Sequence, residues 1–465
     1  MNEAAPGTQS AAGAVARLRH TFDSGRTRPL EWRLAQLTAL RDLLDNEADR
    51  LADALAADLG KPTLEGWVTD VAFTRRTVAH TLEHLPSWVK PEKVDVPAVL
   101  RPGRAHLHRD PLGVVAVIAP WNYPVQLVVE PLAAAIAGGN TVLVKPSEFA
   151  PATAVALSEL FSRHLDTDAV VTIQGDADVA AEVVAADLDH IFFTGSPRVG
   201  RMVMAAAAER LTPVTLELGG KSPAVVTRGA DLAVAARRIT WGKFLNAGQT
   251  CVAPDHVIVD RSLRDELVDG IVGSIRRFYG RNAAESPDYA RIVNKDHLAR
   301  LTGLLAAPES GEIVHGGAVS AADRYVEPTV FVDPDPGSAL MSEEIFGPIL
   351  PVVTVDDTQA AIAEVRSRPH PLALYVFADD ETARTVIDGT ASGGVCVNHT
   401  LVHAAIPDLG FGGVGGSGFG RYHGRFGFET FTNPRGVLSK PARPDPGFAY
   451  PPYGRVTSRV LRRIL

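Results

Sequence analysis

From residue 113 onward the sequence alternates between two kinds of segment, and this alternation restricts the fold more than any other feature. Short apolar, β-branched runs such as "GVVAVIAP", "TVLVKP", "AVVTIQG", "HIFFTG" and "PVTLEL" are separated by alanine-rich segments of helical character over 130–137, 151–164, 177–186 and 198–209. Continuous apolar runs are typical of strands that are buried on both faces. The pattern therefore predicts an α/β fold with a doubly wound parallel sheet.

A second alternating block begins near residue 221, with the runs "KSPAVVT", "HVIVD", "PLALYVFA" and "GGVCVN". With 465 residues the chain is too long for one hydrophobic core, so this block predicts a second α/β domain. Ahead of both blocks, leucines recur among charged residues over 31–58, which predicts helix with one apolar face, and Gly60 is a suitable stop.

Composition excludes several classes of function. The net charge is −8 and no long basic run occurs, so we expect no nucleic-acid partner. No stretch reaches about 18 uninterrupted apolar residues, so we expect no integral membrane segment. The N-terminus lacks the basic start and apolar run of a signal peptide. Two cysteines are too few for a disulfide framework, which favours a cytoplasmic protein.

Two motifs imitate known sites. "HTLEH" at 80–84 matches a zinc-peptidase pattern, but no third ligand is evident, so we interpret it as two exposed histidines and expect no metal. "GVGGSG" at 413–418 matches a dinucleotide fingerprint, but it lies too close to the C-terminus to open a βαβ unit. A tightly packed glycine turn is the better interpretation.

Three residues have side chains suited to covalent catalysis. Cys251 follows a Gly-Gln-Thr turn, which favours an exposed nucleophile over a buried structural cysteine such as Cys396 in "GGVCVN". Glu217 ends an apolar strand before two glycines, so it is either a desolvated general base or a loop glutamate. Asn122 in "APWNYP" is either an oxyanion donor or an Asx-turn residue.

Two further segments suit a nucleotide. Lys145 and Glu148 in "VLVKPSE" follow a strand, where they would either bind ribose hydroxyls or form a solvated charged pair. "TGSPRVG", residues 194–200, is a turn of small residues that enters a helix, and the N-terminus of a helix suits a pyrophosphate.

Six motifs occur together in this order: "PWNYP", "VKPSE", "FTGS", "ELGGKSP", "GQTC" and "EEIFGP". In this set and order the chain resembles the aldehyde dehydrogenase superfamily over essentially its whole length. "GRTRPLEWRLAQLTAL", "RRITWGKFLNAGQTCVAPD" and "PDLGFGGVGGSGFGRYHGRFGFETFTN" are similar to segments of class 3 and fatty aldehyde dehydrogenases.

The resemblance implies a role for each matching residue. Cys251 would be the nucleophile, Glu217 the general base, and Asn122 an oxyanion donor together with the Cys251 backbone N–H. The positions implied to bind the cofactor are Trp121, Lys145, Glu148, Gly195, Ser196, Pro197, Arg198, Val199, Gly200, Glu344 and Phe346. The implied cofactor is NAD, with NADP also accepted, and NAD is expected to be at least as good because Glu148 would repel a 2′-phosphate.

The implied reaction is oxidation of a medium- or long-chain aliphatic or an aromatic aldehyde to a carboxylic acid through a cysteine thioester. A cysteine-dependent esterase or hydrolase and a CoA-acylating aldehyde dehydrogenase are the alternatives. We expect a cofactor domain over 1–85 and 110–218, a catalytic domain over 219–398, and a bridging or oligomerisation arm with the C-terminal tail over 86–109 and 399–465. The resemblance also implies a homodimer. The tail, "GRVTSRVLRRIL", has the spacing of a basic amphipathic helix.

Overall fold

The computed structural model describes residues 10–306, 311–445, 447, 450–452 and 454–464. Its α-helices are α1 (Ala11–Asp23), α2 (Leu30–Asn46), α3 (Ala48–Leu59), α4 (Thr63–Gly66), α5 (Phe73–Trp88), α6 (Gln126–Gly138), α7 (Pro151–His164), α8 (Ala177–Ala185), α9 (Pro197–Ala208), α10 (Leu232–Phe244), α11 (Arg264–Tyr279), α12 (Lys295–Ala306), α13 (Ala339–Ser342), α14 (Thr358–Arg366), α15 (Asp380–Asp388), α16 (Gly424–Thr430) and α17 (Arg455–Ile464). A π-helical turn, Trp67–Ala72, joins α4 to α5.

The strands are short and most of them alternate with helices. They are β1 (Glu92–Val94), β2 (Arg104–Pro111), β3 (Val114–Ile118), β4 (Thr141–Lys145), β5 (Val170–Thr172), β6 (His190–Gly195), β7 (Val214–Leu218), β8 (Pro223–Val226), β9 (His256–Asp260), β10 (Glu312–His315), β11 (Val319–Ser320), β12 (Tyr325–Val326), β13 (Thr329–Val332), β14 (Ile349–Val355), β15 (Ala373–Phe377), β16 (Gly394–Val397), β17 (Gly418–Phe419) and β18 (Thr432–Ser439).

The first sheet has the order β17-β7-β6-β3-β4-β5. Its strands run parallel except β17, which pairs antiparallel with β7. Successive residues of β3 enter different cores: Val115 and Val117 pack with α2, α5 and α6, whereas Val114 and Ala116 pack with α1 and residues of α8 and α9. The strand is therefore buried on both faces, and the predicted doubly wound parallel sheet is confirmed.

The second sheet has the order β10-β13-β14-β9-β8-β15-β16 and is parallel except for β10 at one edge. Its main core includes Val257, Phe331 and Tyr375, which are almost completely inaccessible to solvent. A second α/β unit was predicted from residue 221 onward, and β8 starts at Pro223.

A third, antiparallel sheet has the order β1-β2-β18 and joins residues 92–111 to residues 432–439. The C-terminal segment also returns to the first sheet, because β17 pairs with β7 and α16 packs against α5 and α6. The proposed domain limits remain a prediction, but residues 399–465 do not act solely as an arm.

The leucine-rich segment over 31–58 forms two helices rather than one. Glu47 has a non-helical conformation, with φ of −112° and ψ of 18°, and separates α2 from α3. The break lets each helix direct its own leucines into the core, with Leu37 and Leu40 from α2 and Leu51 and Leu55 from α3 all buried. Gly60 ends α3 with a φ of 58°, in the left-handed conformation that suits glycine.

Among the residues that the structure describes, no helix combines the length and the apolar character needed to cross a bilayer.

Candidate active site

The carboxyl ends of β3, β4, β6 and β7 open onto a cavity of about 2230 Å³, which is also lined by segments next to the second sheet, such as Leu372 ahead of β15. All but one of the residues implied for catalysis and cofactor binding line this cavity. They are Asn122, Glu217, Cys251, Trp121, Lys145, Glu148, Gly195, Ser196, Pro197, Arg198, Val199, Glu344 and Phe346. Motifs from six separate parts of the sequence thus meet in one place.

Gly200 is the exception. It lies buried in the first turn of α9, and a Cβ atom there would lie 2.7 Å from Leu218 Cδ2. The need for glycine at this position therefore comes from close packing of α9 against β7, and Gly200 does not line the cavity.

Cys251 lies at the end of an unusual backbone turn. Asn246, Ala247 and Gly248 have φ values of 52°, 50° and 75°, so the chain after α10 passes through the left-handed region three times. The side chain of Gln249 fixes the turn, since its Nε2 donates to Arg291 O at 2.9 Å and its Oε1 accepts from Val293 N at 2.9 Å. Such a turn presents the following residue, Cys251, to the cavity.

The environment of the Cys251 thiol keeps it uncharged. Burial raises the pKa of Cys251 to about 12, and the nearby carboxylates of Glu344 and Glu217 add to this effect. The Cys251 and Val252 backbone N–H groups act in the opposite direction. The thiol therefore requires loss of a proton, or a change in its surroundings, before it can act as a nucleophile.

Asn122 is held beside the cysteine turn. The side-chain Nδ2 of Asn122 donates to Gln249 O at 3.1 Å, and the backbone carbonyl of Asn122 accepts from Asn246 Nδ2 at 2.8 Å. The side-chain amide carries two N–H protons, and the contact with Gln249 uses one of them. The other proton is available for an oxyanion formed next to Cys251.

Glu217 lies in β7 and is only 2% exposed. Neither of its carboxylate oxygens has a hydrogen-bond partner among the described residues. Burial raises the pKa of Glu217 well above its ordinary value, while the Arg421 guanidinium partly opposes the shift. A carboxylate with a raised pKa is a stronger base, which suits a residue that must take a proton from water.

The implied adenosine end of the cavity is formed at β4 and α9. Lys145 Nζ donates to Glu148 Oε2 at 2.7 Å, so the two side chains form an ion pair at the carboxyl end of β4. Ser196 caps α9 by accepting from Val199 N at 3.4 Å, and Pro197 occupies the first turn. The N-terminus of a helix favours negative charge, so this helix start suits the pyrophosphate that the resemblance implies.

The "EEIFGP" segment contributes Glu344 and Phe346 to the lining of the same cavity. The Glu344 carboxylate lies so close to Gly219 that any Cβ there would overlap with it. Burial, together with Asp255, raises the pKa of Glu344 to about 8. Phe346 adopts a φ of 46° and packs edge-on against Trp121, with ring centroids 5.4 Å apart.

These features fit a dinucleotide. A helix N-terminus with a capping serine, the Phe346 ring and the Glu344 carboxylate all line one cavity. The Glu217 carboxylate, whose oxygens have no hydrogen-bond partner among the described residues, lines it too.

The sequence matches the model of the aldehyde dehydrogenase family over residues 4–437. The chain belongs to the aldehyde dehydrogenase family. It is 43% identical to the dimeric NADP-preferring aldehyde dehydrogenase of Rattus norvegicus, over 93% of this chain and 95% of the relative. It is also 43% identical to the 4,4'-diaponeurosporen-aldehyde dehydrogenase of Staphylococcus aureus, over 93% of this chain and 94% of the relative.

Solved structures agree with this assignment. The substrate-bound state of Staphylococcus aureus AldH superposes with a TM-score of 0.94 at 41% identity, over 97% of this chain and 99% of that one. An NAD⁺ complex of an indole-3-acetaldehyde dehydrogenase gives a TM-score of 0.86 at 28% identity, over 93% and 90% of the two chains. The protein is thus an NAD(P)-dependent aldehyde dehydrogenase, similar to the class 3 relatives that the sequence indicated.

Several polar residues of this aldehyde dehydrogenase were not predicted from the sequence. Lys221 forms an ion pair with Asp255 and also donates to Leu340 O and Glu343 O, at 2.7 and 2.8 Å. It thereby holds the segment that carries Glu344. Arg421 is the cation that acts on Glu217 and donates to two backbone carbonyls. The sequence offered one sign of their importance, which is their position: Lys221 follows "ELGG", and Arg421 lies just after the glycine turn.

The histidine motif at 80–84 lies on a helix, and the glycine motif at 413–418 forms a turn. His80 and His84 lie on α5 with stacked rings 4.1 Å apart, and no metal-binding cluster of three or more His, Cys, Asp or Glu occurs within the ranges described. The glycine turn at 413–418 packs against β7, where Gly418 pairs with Glu217. A Cβ at Gly418 would overlap with Leu216 O, which explains the tight packing that was predicted.

Proposed function

We propose that Cys251, Glu217 and Asn122 carry out the oxidation, and that the physiological substrate is a lipophilic aldehyde of the medium- or long-chain aliphatic or aromatic kind. The observation that carries the proposal is the convergence of these three side chains on one cavity that also has apolar walls. The apolar side chains that line the cavity include Val68, Phe73, Leu127, Trp241, Leu401 and Phe411. Walls of this kind favour hydrocarbon over charged substrates.

The chemistry divides between the three side chains. The Cys251 sulfur, once deprotonated, forms a bond to the aldehyde carbon, and the former carbonyl oxygen becomes an oxyanion. The Asn122 amide and the Cys251 N–H donate hydrogen bonds to that oxyanion. A nicotinamide ring held in the same cavity would supply the acceptor for the hydride that leaves the aldehyde carbon. Glu217 then takes a proton from the water that attacks the resulting thioester, and cleavage of the carbon–sulfur bond releases the carboxylic acid and frees Cys251.

Two alternatives make different demands on the cavity. A hydrolase would use Cys251 but not the helix start at Ser196 or the Lys145–Glu148 pair, which have no evident role without a nucleotide. A CoA-acylating enzyme would not need a base for water, and the buried, unpartnered carboxylate of Glu217 supports water as the second nucleophile. Formation of NADH without CoA during turnover distinguishes the proposal from both alternatives.

We infer that NAD is accepted at least as well as NADP. Glu148 would face the adenosine ribose, where a carboxylate repels a 2′-phosphate. Its pairing with Lys145 at 2.7 Å offsets part of that charge, which is consistent with use of both cofactors. The ratio of kcat/KM for the two cofactors tests the inference, and a large preference for NADP would contradict it.

We also propose a cytoplasmic homodimer. Relatives at 43% identity are named as dimeric. The outer edge of β18 has no partner strand among the residues described, and Leu438 on this strand is 52% exposed, as in surfaces that pair with a second chain. Cys251 and Cys396 are both free, which fits the reducing conditions of the cytoplasm.

The two cysteines provide a matched test of the nucleophile. Cys251→Ala should abolish dehydrogenase and esterase activity while leaving the affinity for NAD intact, because the substitution removes the sulfur alone. Cys396→Ala should be nearly silent, since Cys396 lies in β16 and does not line the cavity. Absorbance of NADH with an aldehyde panel measures the effect. Retention of more than about a few percent of turnover by Cys251→Ala would refute the assignment.

A further inference from the structure

The segment that links α3 to α5 contains a completely buried ion pair. Lys61 Nζ lies 2.8 Å from Asp70 Oδ2, and neither side chain is exposed to solvent. Lys61 follows the glycine that ends α3, whereas Asp70 lies in the π-helical turn before α5. A buried ion pair contributes little stability on balance, because both charges must leave water. Its position in the fold therefore requires another explanation.

Both members of the pair contact the loop that carries Asn122. Lys61 Nζ donates to Asn122 O at 3.3 Å and lies 4.1 Å from the centre of the Tyr123 ring. Asp70 Oδ1 accepts from Val125 N at 3.2 Å and from Gln126 N at 3.4 Å. These two N–H groups begin α6, so the Asp70 carboxylate caps the helix that directly follows the loop.

The same loop is joined to the turn that carries Cys251. Asn122 O also accepts from Asn246 Nδ2 at 2.8 Å, and Tyr123 OH lies 2.6 Å from Thr250 Oγ1. Glu65, between Lys61 and Asp70, accepts directly from Asn246 N at 2.9 Å. Residues 61–70 thus hold both sides of the catalytic centre by hydrogen bonds.

Asp70 lies within a π-helical turn. Phe73 N donates to Val68 O, five residues earlier, so the turn is wider than an α-helical turn. π-Helical turns within α-helices are frequent at functional sites.

We propose that Lys61 and Asp70 are positioning residues that set the distance between the Asn122 amide and Cys251. They touch neither the aldehyde nor the cofactor, and neither residue lines the cavity. They act through the Asn122 carbonyl and the start of α6. The inference rests on the proposed role of Asn122 as an oxyanion donor.

The first test separates positioning from stability. Lys61→Met removes the hydrogen bond to Asn122 but leaves Asp70 buried and unpaired, so the melting temperature should fall together with the rate. Lys61→Met with Asp70→Asn removes both charges and should recover most of the lost melting temperature. The rate of acylation, read as NADH formed in a single turnover, should remain lower by about tenfold or more in both variants.

Two measurements make the effect specific. Alkylation of Cys251 by iodoacetamide needs no oxyanion donor and should be unchanged in the double variant. Adding Lys61→Met and Asp70→Asn to Asn122→Ala should lower acylation little further, because the pair acts through Asn122. Asp45→Asn, which breaks the solvent-exposed pair with Arg75, is the control and should change none of these rates.

The outcomes distinguish this inference from the proposed function. If Asn122→Ala acylates normally, the oxyanion role is wrong and the inference falls with it. If Asn122→Ala is impaired but the double variant acylates at the normal rate, positioning by Lys61 and Asp70 alone is refuted. The inference would also be overturned if the loss of acylation rate in the combined variant equalled the product of the losses in Asn122→Ala and in the double variant.

Discussion

At the scale of single residues, the raised pKa of Cys251 bears on the first chemical step that we propose for it. A thiol with a pKa of about 12 is almost entirely protonated near neutral pH, and the thiolate fraction rises tenfold with each pH unit below the pKa. In the Cys396→Ala background without cofactor, alkylation by iodoacetamide should therefore accelerate about tenfold per unit between about pH 7 and pH 9. For a free cysteine peptide, the rate of alkylation should stop rising near the ordinary pKa of a cysteine thiol. A plateau for Cys251 below about pH 8 would contradict the raised pKa.

Glu217 is the base that we propose for the second half of the reaction. Glu217→Gln keeps the size of the side chain but cannot take a proton from water. Acylation of Cys251 and hydride transfer to the cofactor should therefore occur once, and the thioester should then accumulate. Rapid mixing should show a burst of about one NADH per active site and a steady-state rate lower by about 10²–10⁴-fold. Glu209→Gln, at the exposed end of α9, is the matched control. Absence of the burst would mean that Glu217 acts before hydride transfer or has only a structural role.

The sequence located those residues that end strands or follow turns. Cys251 was found because it follows a Gly-Gln-Thr turn, and Glu217 was found because a parallel sheet places its site at the carboxyl ends of strands. Lys61, Asp70 and Arg421 were not found, because isolated charged residues usually indicate solvated surface. Their burial depends on contacts between segments far apart in the chain, such as Lys61 with Asn122, which local sequence does not encode.

At the scale of secondary structure, the turn before Cys251 depends on Gly248. This residue has a φ of 75°, and a Cβ there would overlap with Gly347 O next to Phe346. Gly248→Ala should therefore lower the melting temperature and cost about 1–3 kcal/mol of stability. Gly273→Ala on the exposed face of α11 meets no neighbouring atom and should be neutral or stabilising by up to about 1 kcal/mol. Equal melting temperatures for the two variants would show that the turn tolerates a side chain.

Strands could be predicted from the sequence where every residue of a segment is buried. Residues of β3 and β4 are inaccessible on both faces, so composition alone identified them. The break at Glu47 was not predictable, because "DNEADR" contains neither glycine nor proline and the separation follows from how α2 and α3 pack. Pairing of β17 with β7 likewise depends on the return of a distant segment to the first sheet.

At the scale of the whole molecule, the C-terminal region divides into two parts. Residues through β18 are integrated into the sheets, since β17 pairs with the strand that carries Glu217 and β18 pairs with β2. The expected helix in the tail is confirmed as α17, whose arginines at 455, 459, 462 and 463 are exposed. Leu465, which completed the predicted apolar set with Val456, Val460, Leu461 and Ile464, lies outside the described residues.

The tail offers two possible contacts, the surface of the protein or its dimer partner, and an anionic membrane that would supply lipophilic aldehydes. A single short amphipathic helix binds bilayers only marginally, which favours contact with protein. We therefore expect that neither the full-length enzyme nor a variant lacking residues 454–465 will pellet with phosphatidylserine-containing liposomes at physiological salt. Turnover of a water-soluble aldehyde should be retained by the truncated variant, because the residues proposed for catalysis and cofactor binding all precede the tail. If the full-length enzyme pellets and the truncated one does not, α17 is a peripheral membrane anchor and contact with protein is refuted.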